Sequence, residues 1–255
     1  MHISAKELRR LASDVDEQHN EAMRSFREDT AALHAEAVAS RRSFLRGAGL
    51  AGVGGTLLAT AGGVAGLSRL GGLAGAQAAE INDPLLAGFA QSIELAVVQI
   101  YTQAGAKLTP AVKPVAALFM SHHKAHAAAF GDLAGDAEQT EGNAVLLKQM
   151  KPTLKGLAKV TPSDALDATI LGVAMQLENQ AAYTYAAALG LLKDPNYAGL
   201  TASVLPIEAQ HATVIGIALG RGPEAWFPTG AFESSTLGDG SDPLRGLDPA
   251  TYVTG

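Results

Sequence analysis

Three glutamates and four histidines stand out because each sits among residues that would otherwise pack a core. Glu94 lies in Ala90-Gln91-Ser92-Ile93-Glu94-Leu95-Ala96-Val97-Val98, and Glu178 in Val173-Ala174-Met175-Gln176-Leu177-Glu178. Glu208 lies in Leu205-Pro206-Ile207-Glu208-Ala209-Gln210-His211, and Phe119-Met120-Ser121-His122-His123-Lys124-Ala125-His126 concentrates imidazoles. A buried carboxylate is costly unless it is paired or ligated. Glu208 and His211 stand three apart, so on a helix both project from one face and can meet one ion. Taken singly, each has a plainer reading: Glu208 with His211 as a surface pair, Glu94 as a capped or snorkelling residue. Their joint placement on four apolar helices points to a metal site.

The donor set narrows the chemistry. With no cysteine in the chain, disulfides, thiol catalysis, zinc ribbons and cysteine-ligated clusters are excluded. Imidazole with carboxylate suits iron, zinc or manganese, as one ion or two. His122 and His126 stand four apart as in zinc peptidases, but His123 occupies the place of the glutamate base, so that motif fails. His122 is expected to point outward or to support a ligand from behind. Tyr101 and Tyr183 lie near Glu94 and Glu178 in sequence and are expected to be ordinary core tyrosines.

These residues need four helices to hold them. Asp83-Pro84 reads as a cap followed by a first-turn proline, opening a helix that runs to about Gly105. Thr109-Pro110 repeats the signal for a second helix ending at Gly131. Thr161-Pro162-Ser163-Asp164 opens a third that closes at Gly190, and a fourth runs from about Asn196 to Gly220, with Pro206 predicting a kink or a late start. Short turns make the first and second helices one antiparallel hairpin, and the third and fourth another. Residues 132–161 form a long crossover between the second and third helices, with a short helix expected around Glu141–Lys151. The fold class is therefore all-α, a four-helix bundle over 80–222, with a C-terminal tail, 223–255, pinned by Trp226, Phe227 and Phe232.

The N-terminal third differs. Residues 1–39 read as a polar helix whose thin apolar stripe, Leu8, Leu11, Val15, Phe26 and Leu33, predicts a solvated or partly ordered extension, with a partner-binding arm as the alternative. Ser40-Arg41-Arg42-Ser43-Phe44-Leu45-Arg46 resembles the twin-arginine export motif. A charge-free stretch of 21 residues, Gly47–Leu67, and the small-x-small run Ala76-Gln77-Ala78 follow it. Residues 40–79 thus read as a signal segment, with an uncut membrane anchor as the alternative. Export across the cytoplasmic membrane to the periplasm or envelope is expected, with the twin-arginine translocase as a transient partner. That pathway carries folded proteins, often around a cofactor.

Charge agrees with a soluble, cation-attracting body. Residues 1–79 hold 9 Lys+Arg against 8 Asp+Glu, leaving 10 against 17, or a net of -7, for residues 80–255. An acidic body without a basic stripe argues against nucleic acid as a partner.

Together the helix order and the ligands resemble the ferritin-like superfamily, and more narrowly its exported bacterial members, over about residues 82–232. The resemblance implies two helices giving one glutamate each and two giving Glu-x-x-His. Glu94 matches the first glutamate, Glu178 the third-helix glutamate, Glu208 and His211 the fourth-helix pair, and His126 the second-helix histidine. Where His126 should have a glutamate partner, the sequence has His123. A bridging carboxylate is missing, and a neutral imidazole cannot bridge. The metal set is Glu94, His123, His126, Glu178, Glu208 and His211, with one or two iron ions first and zinc or manganese as alternatives. The implied activity is ferrous oxidation or related redox chemistry. The rival from another class is a non-catalytic accessory subunit of an envelope complex with a degenerate site, or a homo-oligomer.

Overall fold

The structure, a computed structural model, describes residues 1–48, 81–223, 237–238 and 246–247. The charge-free stretch beyond 48, the cleavage motif at 76–78 and the three tail aromatics lie outside the described residues. The chain divides into two compact units, Met1–Phe26 with Ile81–Gly255, and Arg27–Glu80.

Six α-helices are present among the described residues: α1 (Ala5–Ala48), α2 (Asp83–Gly105), α3 (Lys113–Ala134), α4 (Ala144–Leu157), α5 (Asp164–Leu189) and α6 (Pro195–Ala218). In the first unit, α2 and α3 form one hairpin and α5 and α6 the other, with α4 in the crossover lying on α2. This is the expected all-α bundle with a long connection between its second and third main helices. Two dipeptides in the tail add a minimal parallel pairing, Leu237 with Gly246 and Gly238 with Leu247.

Local chemistry explains the helix starts and corrects two expectations. Asn82, not Asp83, caps α2 by accepting from the Leu85 N–H. Asp83 is freed to accept from the backbone N–H groups of Lys193 and Asp194, tying the α5–α6 turn to the start of α2. The second helix starts at Lys113 rather than near Thr109, with Pro114 in its first turn. Thr109 is held instead by Asp167, which accepts from its backbone N–H at 3.0 Å and from its hydroxyl. Ser163 caps α5, and Asp194 caps α6. The latter runs through Pro206 from Pro195, so there is no late start.

The crossover approaches α2 closely enough to need glycine twice. A Cβ at Gly88 would stand 2.2 Å from the Ala137 carbonyl oxygen, and one at Gly142 2.9 Å from the Ala96 backbone. Asn143 then donates its N–H to the Ser92 carbonyl at 2.7 Å and caps α4 with its side chain.

The main departure from expectation is α1. Its first turns are not solvated: Leu8, Ala12, Val15 and Met23 are buried in the same cores as the bundle helices. His2 donates its N–H to the Ala218 carbonyl at 2.9 Å, and Gln210 donates its side-chain amide to Gln18 at 2.7 Å. Leu8, Ala12, Val15, His19 and Met23 recur at helical spacing, so Ala12 and His19 complete a stripe that large apolar residues alone leave thin. The helix continues past Phe26 through the twin arginines to Ala48.

Candidate metal centre

All six residues singled out from the sequence converge in the middle of the bundle, none more than 1% exposed. Glu94 comes from α2, His123 and His126 from α3, Glu178 from α5, and Glu208 with His211 from α6. Their donor atoms form two overlapping groups, Glu94–His123–His126–Glu208 and His123–Glu178–Glu208–His211. His123 and Glu208 belong to both.

Glu208 occupies a bridging position. Its Oε1 lies 2.8 Å from His126 Nδ1, while its Oε2 lies 3.1 Å from His211 Nδ1. Glu178 faces His211 Nδ1 at 3.2 Å with one oxygen and His123 Nε2 at 3.3 Å with the other. His123 turns inward, with Nδ1 2.8 Å from Glu94 Oε2. It therefore sits between two carboxylates where the family pattern has a third.

Two tyrosines close the cluster. Tyr101 donates its hydroxyl to Glu178, and Tyr185 donates to Glu94. Tyr101 is thus no ordinary core tyrosine. Tyr185 was missed in the sequence, although it stands seven residues after Glu178, two helical turns on the same face. Tyr183, five residues on, points elsewhere, and its hydroxyl has no partner.

The electrostatics are those of three imidazoles facing three carboxylates. Burial alone would push the Glu94 carboxyl up, but hydrogen bonds and charge from His123 and His126 bring it down to about 2. Burial likewise opposes ionisation of Glu178, and His123 and His211 hold it well below the usual carboxylate range. Burial disfavours charge on His126, yet Glu208 and Glu94 push it up to about 9. His123 and His211 are raised by the same balance, through Glu208 and Glu178 for the former and Glu178 first for the latter.

Behind His211 runs a second line of groups. His122 is 1% exposed, not outward, with Nδ1 2.9 Å from His211 Nε2 and Nε2 2.9 Å from Asp16 Oδ1. If His211 turns Nδ1 to the carboxylates, its Nε2–H donates to His122 Nδ1 and the His122 Nε2–H donates to Asp16. One tautomer assignment satisfies the whole chain. Phe119 stacks on His211 with ring centroids 4.1 Å apart. His122 supports a ligand, as expected; Asp16 was not foreseen because it lies on a helix read as an extension.

A metal ion fits this donor set. His126 Nδ1 and Nε2 and Glu208 Oε1 are buried without a well-directed hydrogen bond, although His126 Nδ1 and Glu208 Oε1 approach to 2.8 Å. Donor atoms that crowd together without aiming at each other suit a shared cation better than mutual hydrogen bonding.

Residues 72–221 match the model of a family described as the ferritin-like domain. No curated protein and no solved structure matches the chain.

Proposed function

Because the chain belongs to the ferritin-like domain family, we propose that the buried cluster holds one divalent ion, iron first, and serves redox chemistry. The carrying observation is the pair of overlapping donor groups that share Glu208 and His123. Glu94, Glu178 and Glu208 supply three negative charges, which one divalent cation and one imidazolium neutralise. His126 and His211 complete the shell through Nδ1. His123, hydrogen-bonded on both sides, supplies the remaining positive charge where a bridging glutamate would demand a second ion. Bound iron would exchange electrons between its ferrous and ferric states, with oxygen or peroxide as the oxidant. The protein's share is to exclude water, hold Glu94 and Glu178 ionised, and fix the His211 ring through His122.

Metal content per purified chain, measured together with ferrous oxidation, tests the proposal. One ion per chain at the cluster, lost in Glu208→Ala, is expected. A protein that stays empty after reconstitution would refute it and favour the accessory-subunit reading.

Export by the twin-arginine route is part of the proposal, carried by Ser40–Arg46. It has a structural consequence: cleavage after Ala78 would remove the helix that buries Leu8, Ala12 and Val15 on the bundle. We therefore favour retention of the N-terminal segment. N-terminal sequencing of the protein from the cell envelope tests this, and a start at residue 79 would refute retention.

A further inference from the structure

The metal cluster is buried, so an ion needs a way in. We propose that Asp16, His19 and His122 form a second cation site, an entry port that takes a divalent transition-metal ion from solvent and passes it inward through His126. The three side chains bring one donor atom each into a single group. None is used by the inner donor set. Asp16 and His19 also lie outside the stretch that matches the family, 72–221.

The observation that points to a ligand is His19. It is 5% exposed, yet neither ring nitrogen has a well-directed hydrogen-bond partner, Asn20 being the neighbouring polar side chain. A buried imidazole with both nitrogens unmet is rare without a reason. Its ring is held by stacking on His122, centroids 4.0 Å apart, and lies 5.0 Å from the His126 ring. Stacked rings do not aim their nitrogens at one point. With no well-directed hydrogen bond to hold it, His19 would turn about its Cβ–Cγ bond to bring a nitrogen to Asp16 or toward His126.

The placement gives a direction. The Asp16 side chain is 38% exposed and marks the outer end, while His126 is 0% exposed and belongs to the inner cluster. Beside the His122 ring lie the two His19 nitrogens, without a well-directed partner, and His126 Nε2, buried without one. Burial first, and then the neighbouring imidazoles, keep His19 neutral with its pKa lowered to about 3, so its lone pair is available near neutral pH. His122 Nε2, 2.9 Å from Asp16 Oδ1, is the third donor.

The inference rests on the proposed function for its destination, but its test does not. In full-length protein with Co(II) as probe, Glu208→Gln disables the inner cluster. E208Q is expected to bind one Co(II), and E208Q/H19A none, by equilibrium dialysis and visible absorption. In the wild-type background, H19A is expected to fill the centre to the same count but about tenfold or more slowly, the scale on which charged funnels raise association rates. Equal binding by E208Q and E208Q/H19A, or loading of H19A at the wild-type rate, would overturn the port. Should the inner cluster bind nothing, E208Q matches wild type, and loss of one ion on H19A alone still identifies the port. His19→Gln, with helicity followed by circular dichroism, repeats the comparison should H19A fold poorly.

Discussion

Replacing His123 with glutamate restores the family's bridging carboxylate and gives the sharpest test of why this chain departs from it. In the metal-free protein the His123 ring stands 2.8 Å from Glu94, 3.3 Å from Glu178 and 3.6 Å from Glu208. All four residues are at most 1% exposed. Removing one partner from a buried charge pair costs about 3–5 kcal/mol, and H123E also adds a fourth carboxylate. A chain of this size loses about 2–4 °C in Tm per kcal/mol, so metal-free H123E should melt roughly 6–20 °C below wild type. Saturating metal should bring the two nearly level. Four carboxylates can neutralise two divalent ions, and each ion at about a thousandfold excess over its Kd contributes about 4 kcal/mol. The assay is differential scanning calorimetry with and without Fe(II) under anaerobic conditions, alongside metal counts. The expected result is a low metal-free Tm, a larger metal-induced rise than in wild type, and one more ion per chain. A metal-free H123E as stable as wild type would refute the imidazolium role. An unchanged metal count would refute the charge argument for one ion.

Three further outcomes are expected. Leu8→Ala should destabilise the full chain by about 2–5 kcal/mol in urea unfolding, as for other buried leucines; a loss near zero would mean that α1 does not pack on the bundle. Affinity for Co(II) should rise between pH 6 and 9, because the His126 proton, held up to about 9 by Glu208 and Glu94 against burial, must leave. Metal-free stability should move oppositely. The raised His126 pKa contributes stability that is fully present below 6.5 and is lost as pH rises through about 9. Tyr185→Phe removes the hydroxyl that Glu94 accepts from and should cost about 1–3 kcal/mol in metal-free protein; a neutral effect in urea titration would show that the contact carries no energy.

Much of the bundle is legible in the sequence because its signals are local. Ser163 and the first-turn prolines act within one helical turn, and glutamates in apolar stretches are visible without knowing what they face. All six residues of the cluster could be named this way, since a bundle brings its inward faces to one axis. The helix starts at Asn82 and Lys113 were misjudged by a few residues because Asp83 and Thr109 spend their polar atoms on distant partners, the 193–194 turn and Asp167.

What the sequence alone determined is therefore periodic and local: the helices, their order, the twin-arginine stretch, and the donors with His123 breaking the pattern. Only the tertiary structure decided that α1 packs on the bundle, that Tyr185 rather than Tyr183 reaches Glu94, and that His122 links His211 to Asp16. The last two depend on groups 89 to 106 residues apart meeting in space, and the first on His2 meeting Ala218 and Gln18 meeting Gln210. No pattern along the chain encodes such meetings. The large apolar residues alone leave the α1 stripe thin, and buried Ala12 and His19 complete it. Burial depends on the surface a helix meets as well as on its own residues, and the matching surface lies on α3 and α6.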